Sequence, residues 1–79
     1  MRKLPAIEGK ELVKFLNTLG FTVIRSKGSH VRLRAEDGRI TTVPMHSGKI
    51  IPKGLLRKII REDLDMTLVE FLELFERNR

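Results

Sequence analysis

The chain reads as a small α+β domain: a three-stranded antiparallel sheet with helices packed on one face, in the order αβββαα. Three observations predict this. Apolar residues repeat at helical spacing at both ends of the chain, they alternate with polar ones in the middle, and a Glu36-Asp37-Gly38-Arg39 turn separates two of the alternating runs. With 79 residues, 41% hydrophobic and 33% charged, there is material for one small core and no sign of disorder. The whole chain is expected to form one unit, with residues 1–8 as an N-terminal tail and 9–75 as the folded core.

The first helix is expected from about Gly9 to Leu19, because Leu12, Phe15, Leu16 and Leu19 share one face. Gly20 supplies its left-handed end. Phe21-Thr22-Val23-Ile24 is a first strand, Ser29–Ala35 a second and Ile40–Met45 a third. The run Ser47-Gly48-Lys49 is a loop. Pro52 then opens a second helix with an apolar stripe of Leu55, Leu56, Ile59 and Ile60. Thr67 with Glu70 three residues on forms a capping box, and Leu68, Phe71, Leu72 and Phe75 line a third helix.

The register between the second and third strands follows from matching side chains. A three-residue loop, Asp37-Gly38-Arg39, sets Leu33 against Val43 and Val31 against Met45, keeping apolar groups on one face. The other, wet face then carries His30, Arg32 and Arg34. His46 falls opposite His30, with the imidazoles within one or two cross-strand spacings of about 5 Å each.

Net charge is +6, and its distribution is uneven. From Arg25 to Arg61 ten basic residues stand against two acids, a net of +8, whereas Glu62 to Glu76 holds six acids and no base. The middle of the chain is suited to a polyanion, and nucleic acid is the expected partner. No cysteine is present, which excludes disulfides and thiolate metal sites. No carboxylate cluster has metal-ligand spacing, so two-metal nuclease chemistry is discounted and no cofactor is expected. No apolar run is long enough to span a bilayer, and no secretory signal follows Met1-Arg2-Lys3-Leu4-Pro5, which makes the cytoplasm the expected compartment.

Histidine supplies the remaining chemistry. An imidazole can take up or give a proton near neutral pH. RNA carries its own nucleophile, the ribose 2′-OH. A base that removes that proton lets the oxygen attack the adjacent phosphorus, leaving a 2′,3′-cyclic phosphate and a 5′-OH without any metal. His30 sits in Arg25-Ser26-Lys27-Gly28-Ser29-His30-Val31-Arg32, where nearby cations would stabilise the charged transition state. Gly28 would let a phosphate approach the backbone, and Ser29 could donate a hydrogen bond. Lys27, Arg32, Arg34, Lys49, Lys53 and Arg57 are expected phosphate contacts. The competing reading is that an exposed histidine among basic residues is only a surface residue, and that His46 is only a turn residue.

Gly20-Phe21, Gly28-Ser29-His30, Val43-Pro44-Met45-His46 and the run Lys49-Ile50-Ile51-Pro52-Lys53-Gly54-Leu55-Leu56-Arg57-Lys58-Ile59-Ile60 together resemble the HicA (YcfA-like) toxin family. The similarity spans roughly Gly9 to Phe75. It implies a fold like the double-stranded-RNA-binding domain. It also implies a ribosome-independent mRNA endoribonuclease, the toxin of a type II toxin–antitoxin system, held inactive by a HicB-like antitoxin. The family's catalytic histidine maps onto His30 and its second histidine, after Val-Pro, onto His46, here grouped with the RNA-binding residues. A non-catalytic double-stranded-RNA-binding module is the alternative that fits the same charge pattern. With no Tyr or Trp, base stacking is scarce, so weak sequence preference and strong salt dependence are expected.

Overall fold

In the computed structural model, residues 3–78 are described; Met1 and Arg2 of the expected tail, and Arg79, lie outside them. The elements are α1 (Gly9–Thr18), β1 (Thr22–Lys27), β2 (His30–Arg34), β3 (Ile40–Pro44), α2 (Lys53–Lys58), which runs on into a π-helical turn (Ile59–Asp63), and α3 (Leu68–Arg77). This is the α+β order expected.

The helices form where the apolar spacing demands a buried face. Leu12, Phe15 and Leu16 of α1 are buried, as are Phe71, Leu72 and Phe75 of α3. The Phe15 ring meets Phe71 and Phe75 edge-on, with centroids 5.3 Å away in each case. Helix α1 closes with two reversed hydrogen bonds, from Phe21 N–H to Leu16 O and from Gly20 N–H to Asn17 O, the Schellman pattern. Helix α3 starts on the expected capping box: Glu70 N–H donates to Thr67 Oγ1 and Thr67 N–H to Glu70 Oε1.

The strands lie in the order β1-β2-β3, all antiparallel. Burial alternates strictly along β2, with Val31 and Leu33 inside and His30, Arg32 and Arg34 outside. Thr41 and Val43 of β3 are buried on the same side. One sheet face thus packs on the helices and the other is open.

The register differs from the expected one. Val31 pairs with Val43, Leu33 with Thr41 and His30 with Pro44. Turn chemistry explains the shift. The loop is Glu36-Asp37-Gly38, closed by hydrogen bonds from Gly38 N–H to Ala35 O and from Ala35 N–H to Arg39 O. A three-residue hairpin loop ends on a residue with positive φ, and Gly38 (φ +95°) takes that place at no steric cost. The expected loop would have demanded it of Arg39. The slip is one residue on each strand, so the faces are preserved although the partners change. It sets Thr41 against Leu33 inside the core, where its hydroxyl donates to Asp63 Oδ2 at 2.9 Å. Arg39 locks the turn: its Nε donates to Asp37 Oδ2, a second guanidinium nitrogen to Leu64 O, and the group lies 5.2 Å from the Phe21 ring centroid. Backbone and side-chain hydrogen bonds from Arg39 hold the Asp37 carboxyl below the usual range.

Three further differences matter. Strand β1 runs to Lys27 rather than stopping at Ile24, with a bulge between Val23 and Arg25. The segment before α1 is packed rather than loose: Leu4 and Ile7 are buried, and Ile51 N–H donates to Ile7 O. Leu55, expected in the apolar stripe of the second helix, is exposed, while Leu56, Ile59 and Ile60 are buried.

Candidate nucleic-acid interface

The β1–β2 hairpin builds the candidate site. Lys27 and His30 are a cross-strand pair, so only Gly28 and Ser29 separate the strands. Gly28 has φ +57°. A two-residue loop with glycine in its first position and positive φ there is the type II′ turn, whose twist suits a hairpin. The glycine of Gly28-Ser29-His30 therefore sets where β2 begins, and His30 is its first residue. That is a structural reason for Gly28 beyond the phosphate access expected of it.

His30, Arg32 and Arg34 are all exposed on the open face. Opposite them stand Lys27, Arg25 and Thr22 respectively. The result is a ladder of cations: Lys27 beside His30, then Arg25 beside Arg32, then Arg34. Among the described residues none of these side chains has an ion-pair or hydrogen-bond partner. Like charges directly opposed across a ladder are destabilising, so this face carries uncompensated positive charge at some cost to the fold. Arg25 was not among the expected contacts. The bulge at Ile24 brings it opposite Arg32, and no alternation in the sequence reveals a bulge.

The other expected residues are more dispersed. Ser29 is half-buried and its carbonyl accepts from Met45 N–H, which ties the end of β3 to the turn. His46 is exposed one residue further on, two beyond the Pro44 that pairs with His30, so it does not stand directly opposite His30. It lines a small cavity of about 230 Å³ with Glu8, Lys10, Met45 and Ser47. Lys49 is exposed, in the turn closed by its own N–H to His46 O. Lys53 and Arg57 are exposed on α2, and no hydrogen bond or ion pair joins either to the hairpin.

Gly9 holds the end of β3 in place. A Cβ there would lie 2.1 Å from Pro44 O, so α1 starts hard against the backbone that faces His30. All four phenylalanines are buried, which leaves the interface without an aromatic stacking platform. Among the described residues no three His, Asp or Glu side chains come together as a metal site, and no helix is long and apolar enough to cross a membrane.

A family model described as "HicA toxin of bacterial toxin-antitoxin" matches residues 9–63. The match covers α1, the whole sheet and α2 with its π turn, and so includes the complete cation ladder; α3 lies outside it. No curated protein matches the chain.

Proposed function

Because this chain belongs to the HicA toxin family, the toxins of bacterial toxin–antitoxin pairs, we propose that it poisons by cutting mRNA, with His30 as the general base. The observation that carries the reading is the placement of His30: an exposed imidazole at the head of β2, beside Lys27 and in line with Arg32 on an open face where, among the described residues, no acid pairs with these cations.

In the proposed reaction an imidazole nitrogen of His30 removes the proton from a ribose 2′-OH. The 2′-oxygen attacks the neighbouring phosphorus, the bond from phosphorus to the 5′-oxygen breaks, and that oxygen takes up a proton. The products are a 2′,3′-cyclic phosphate and a 5′-OH. The nucleophile belongs to the substrate, so the step needs no metal. Lys27 and Arg32 flank the imidazole and would offset the charge that builds on the phosphoryl oxygens. Gly28, Ser29, Arg34, His46, Lys49, Lys53 and Arg57 are further proposed RNA contacts, joined by Arg25, which faces Arg32 across the ladder.

A toxin of this family has an antitoxin partner. We take it to be of the HicB type, and an acidic surface on it would suit the cation ladder. Such a partner works in the bacterial cytoplasm, where the transcripts are.

The test is purified protein with end-labelled RNA in EDTA. The wild type is expected to release fragments ending in cyclic phosphate, and His30→Ala to lose cleavage while keeping most of its RNA binding. Retarded but uncut RNA with the wild type would leave the non-catalytic binding module as the better description.

A further inference from the structure

A groove runs along the β3 edge of the sheet, between that strand and α2, with a volume of about 460 Å³. We propose that it holds one unpaired nucleotide of the RNA next to the cleaved bond; the inference rests on the RNA-cutting reading above.

The walls carry the argument. Ile40 (39% exposed) and Leu55 (38%) both line the groove, and both are among the few large apolar side chains that the fold leaves exposed. Their convergence gives one groove an apolar lining that a ligand with an apolar face can cover. Arg32 and Lys58 line the same groove, and Thr42, exposed opposite Arg32 on β3, offers a hydroxyl. The one carboxylate there, Asp63, is engaged by the Thr41 hydroxyl at 2.9 Å. Aliphatic walls with cations beside them fit a ligand with a flat apolar body and an anionic edge, which describes a nucleotide. The volume falls within the usual range of small-molecule sites, about 300–1,000 Å³.

Position supports the same ligand. Arg32 is two residues along β2 from His30 on the same face, about 6.6 Å away along the strand. A strand of RNA with its reacting phosphate at His30 therefore reaches the groove with its neighbouring nucleotide. Such a base cannot sit between two aliphatic walls while paired in a duplex, so the site selects single-stranded RNA. Attack by the 2′-oxygen points the same way, since it needs a flexible nucleotide to bring the oxygen in line with the bond that breaks.

The experiment measures binding with 2′-O-methyl RNA, which cannot be cut by this chemistry. Fluorescence anisotropy compares a short mixed-sequence single strand with the same strand annealed to its complement. The double variant Ile40→Thr, Leu55→Ser is expected to weaken single-strand binding roughly tenfold and leave duplex binding unchanged. Lys58→Ala should reduce the salt slope of single-strand binding by about 0.7. Thermal melts confirm folding, and Lys58, on the surface, gives a second reading should the double variant unfold. Unchanged single-strand affinity in both variants overturns the proposal. So does an equal loss on single strand and duplex. So does unchanged RNA binding in variants that escape neutralisation by the antitoxin in cells, because the groove would then belong to the protein partner. Single-strand binding that ignores the groove variants, in a protein that still cuts RNA, rejects the groove alone, whereas groove-dependent binding by a protein that never cuts rejects the nuclease reading alone.

Discussion

Arg25 and Arg32 face each other across the β1–β2 ladder with no acid between them, and stability and binding should respond to their removal with opposite signs. A like-charged pair in that position costs about 0.2–1 kcal/mol. Either Arg25→Thr or Arg32→Thr removes the whole repulsion, and threonine suits an exposed strand. Each single variant should therefore melt higher by ~1–8 °C, taking about 4–8 °C per kcal/mol for a domain of this size. The double variant should gain little beyond either single, because the repulsion can be removed only once; the double-mutant cycle reads that coupling directly. RNA binding goes the other way and adds up. Each arginine that meets a phosphate contributes about 0.7 to the slope of log K against log salt, so the singles lose ~0.7 and the double ~1.4. Thermal melts at low and high salt, with anisotropy on uncleavable RNA across a salt series, measure both effects. The stabilisation should shrink at high salt, where exposed charges are screened. A single variant that melts lower than the wild type would show that the arginines support the hairpin. A double variant with an unchanged salt slope would show that they do not meet phosphate.

Other perturbations separate the scaffold from the site. Asp63→Ala leaves the buried Thr41 hydroxyl without its acceptor and should destabilise by about 1–3 kcal/mol in urea melts, with Thr41→Val in the same background recovering part of the loss. Gly9→Ala pushes a methyl group into Pro44 O and should cost about 1–3 kcal/mol, checked by the same melts beside Lys10→Ala, which should cost almost nothing. Glu70 accepts the Thr67 N–H, which holds its carboxyl below the usual range. Its contribution is complete above the ordinary carboxylate range and fades as pH falls through the lowered folded value. Glu70→Gln should therefore flatten the acid limb of a stability–pH curve, and an unchanged limb would remove the capping box from the account.

The parts legible in the sequence were those fixed by repetition. Leu12, Phe15 and Leu16, or Phe71, Leu72 and Phe75, announce a helix face because several residues must be buried together. The alternation from His30 to Arg34 announces an open face for the same reason. What escaped was carried by single residues or by no pattern. Both faces of β1 are exposed, so Val23 and Ile24 look like the start of a strand and Arg25 to Lys27 look like loop. Leu4 and Ile7 dock singly, without periodicity, and so read as tail. Leu55 continues an apolar stripe on paper, yet it falls on the exposed side of α2 next to the groove, where its neighbours Leu56, Ile59 and Ile60 are inside.

The register error shows which force ranks higher in a hairpin this short. Apolar matching favours Val43 opposite Leu33, but the backbone needs a residue that tolerates positive φ at the end of the loop, and Gly38 answers that need. The fold then accepts a threonine in the core and satisfies it with Asp63, from the π turn that ends the second helical segment. The same logic governs the site. Gly28 places the turn, the turn places His30 at the head of β2, and the pairing that follows sets Lys27 and Pro44 on its two sides. His30 is thus placed by the pairing of its strand with β1 and β3, and among the described residues its imidazole has no side-chain hydrogen-bond partner. A carboxylate partner would orient the ring but would also place a negative charge beside a phosphate. A hairpin that holds the residue from its backbone leaves the surrounding charge positive, and that positive charge can offset what builds on the phosphoryl oxygens in the proposed reaction.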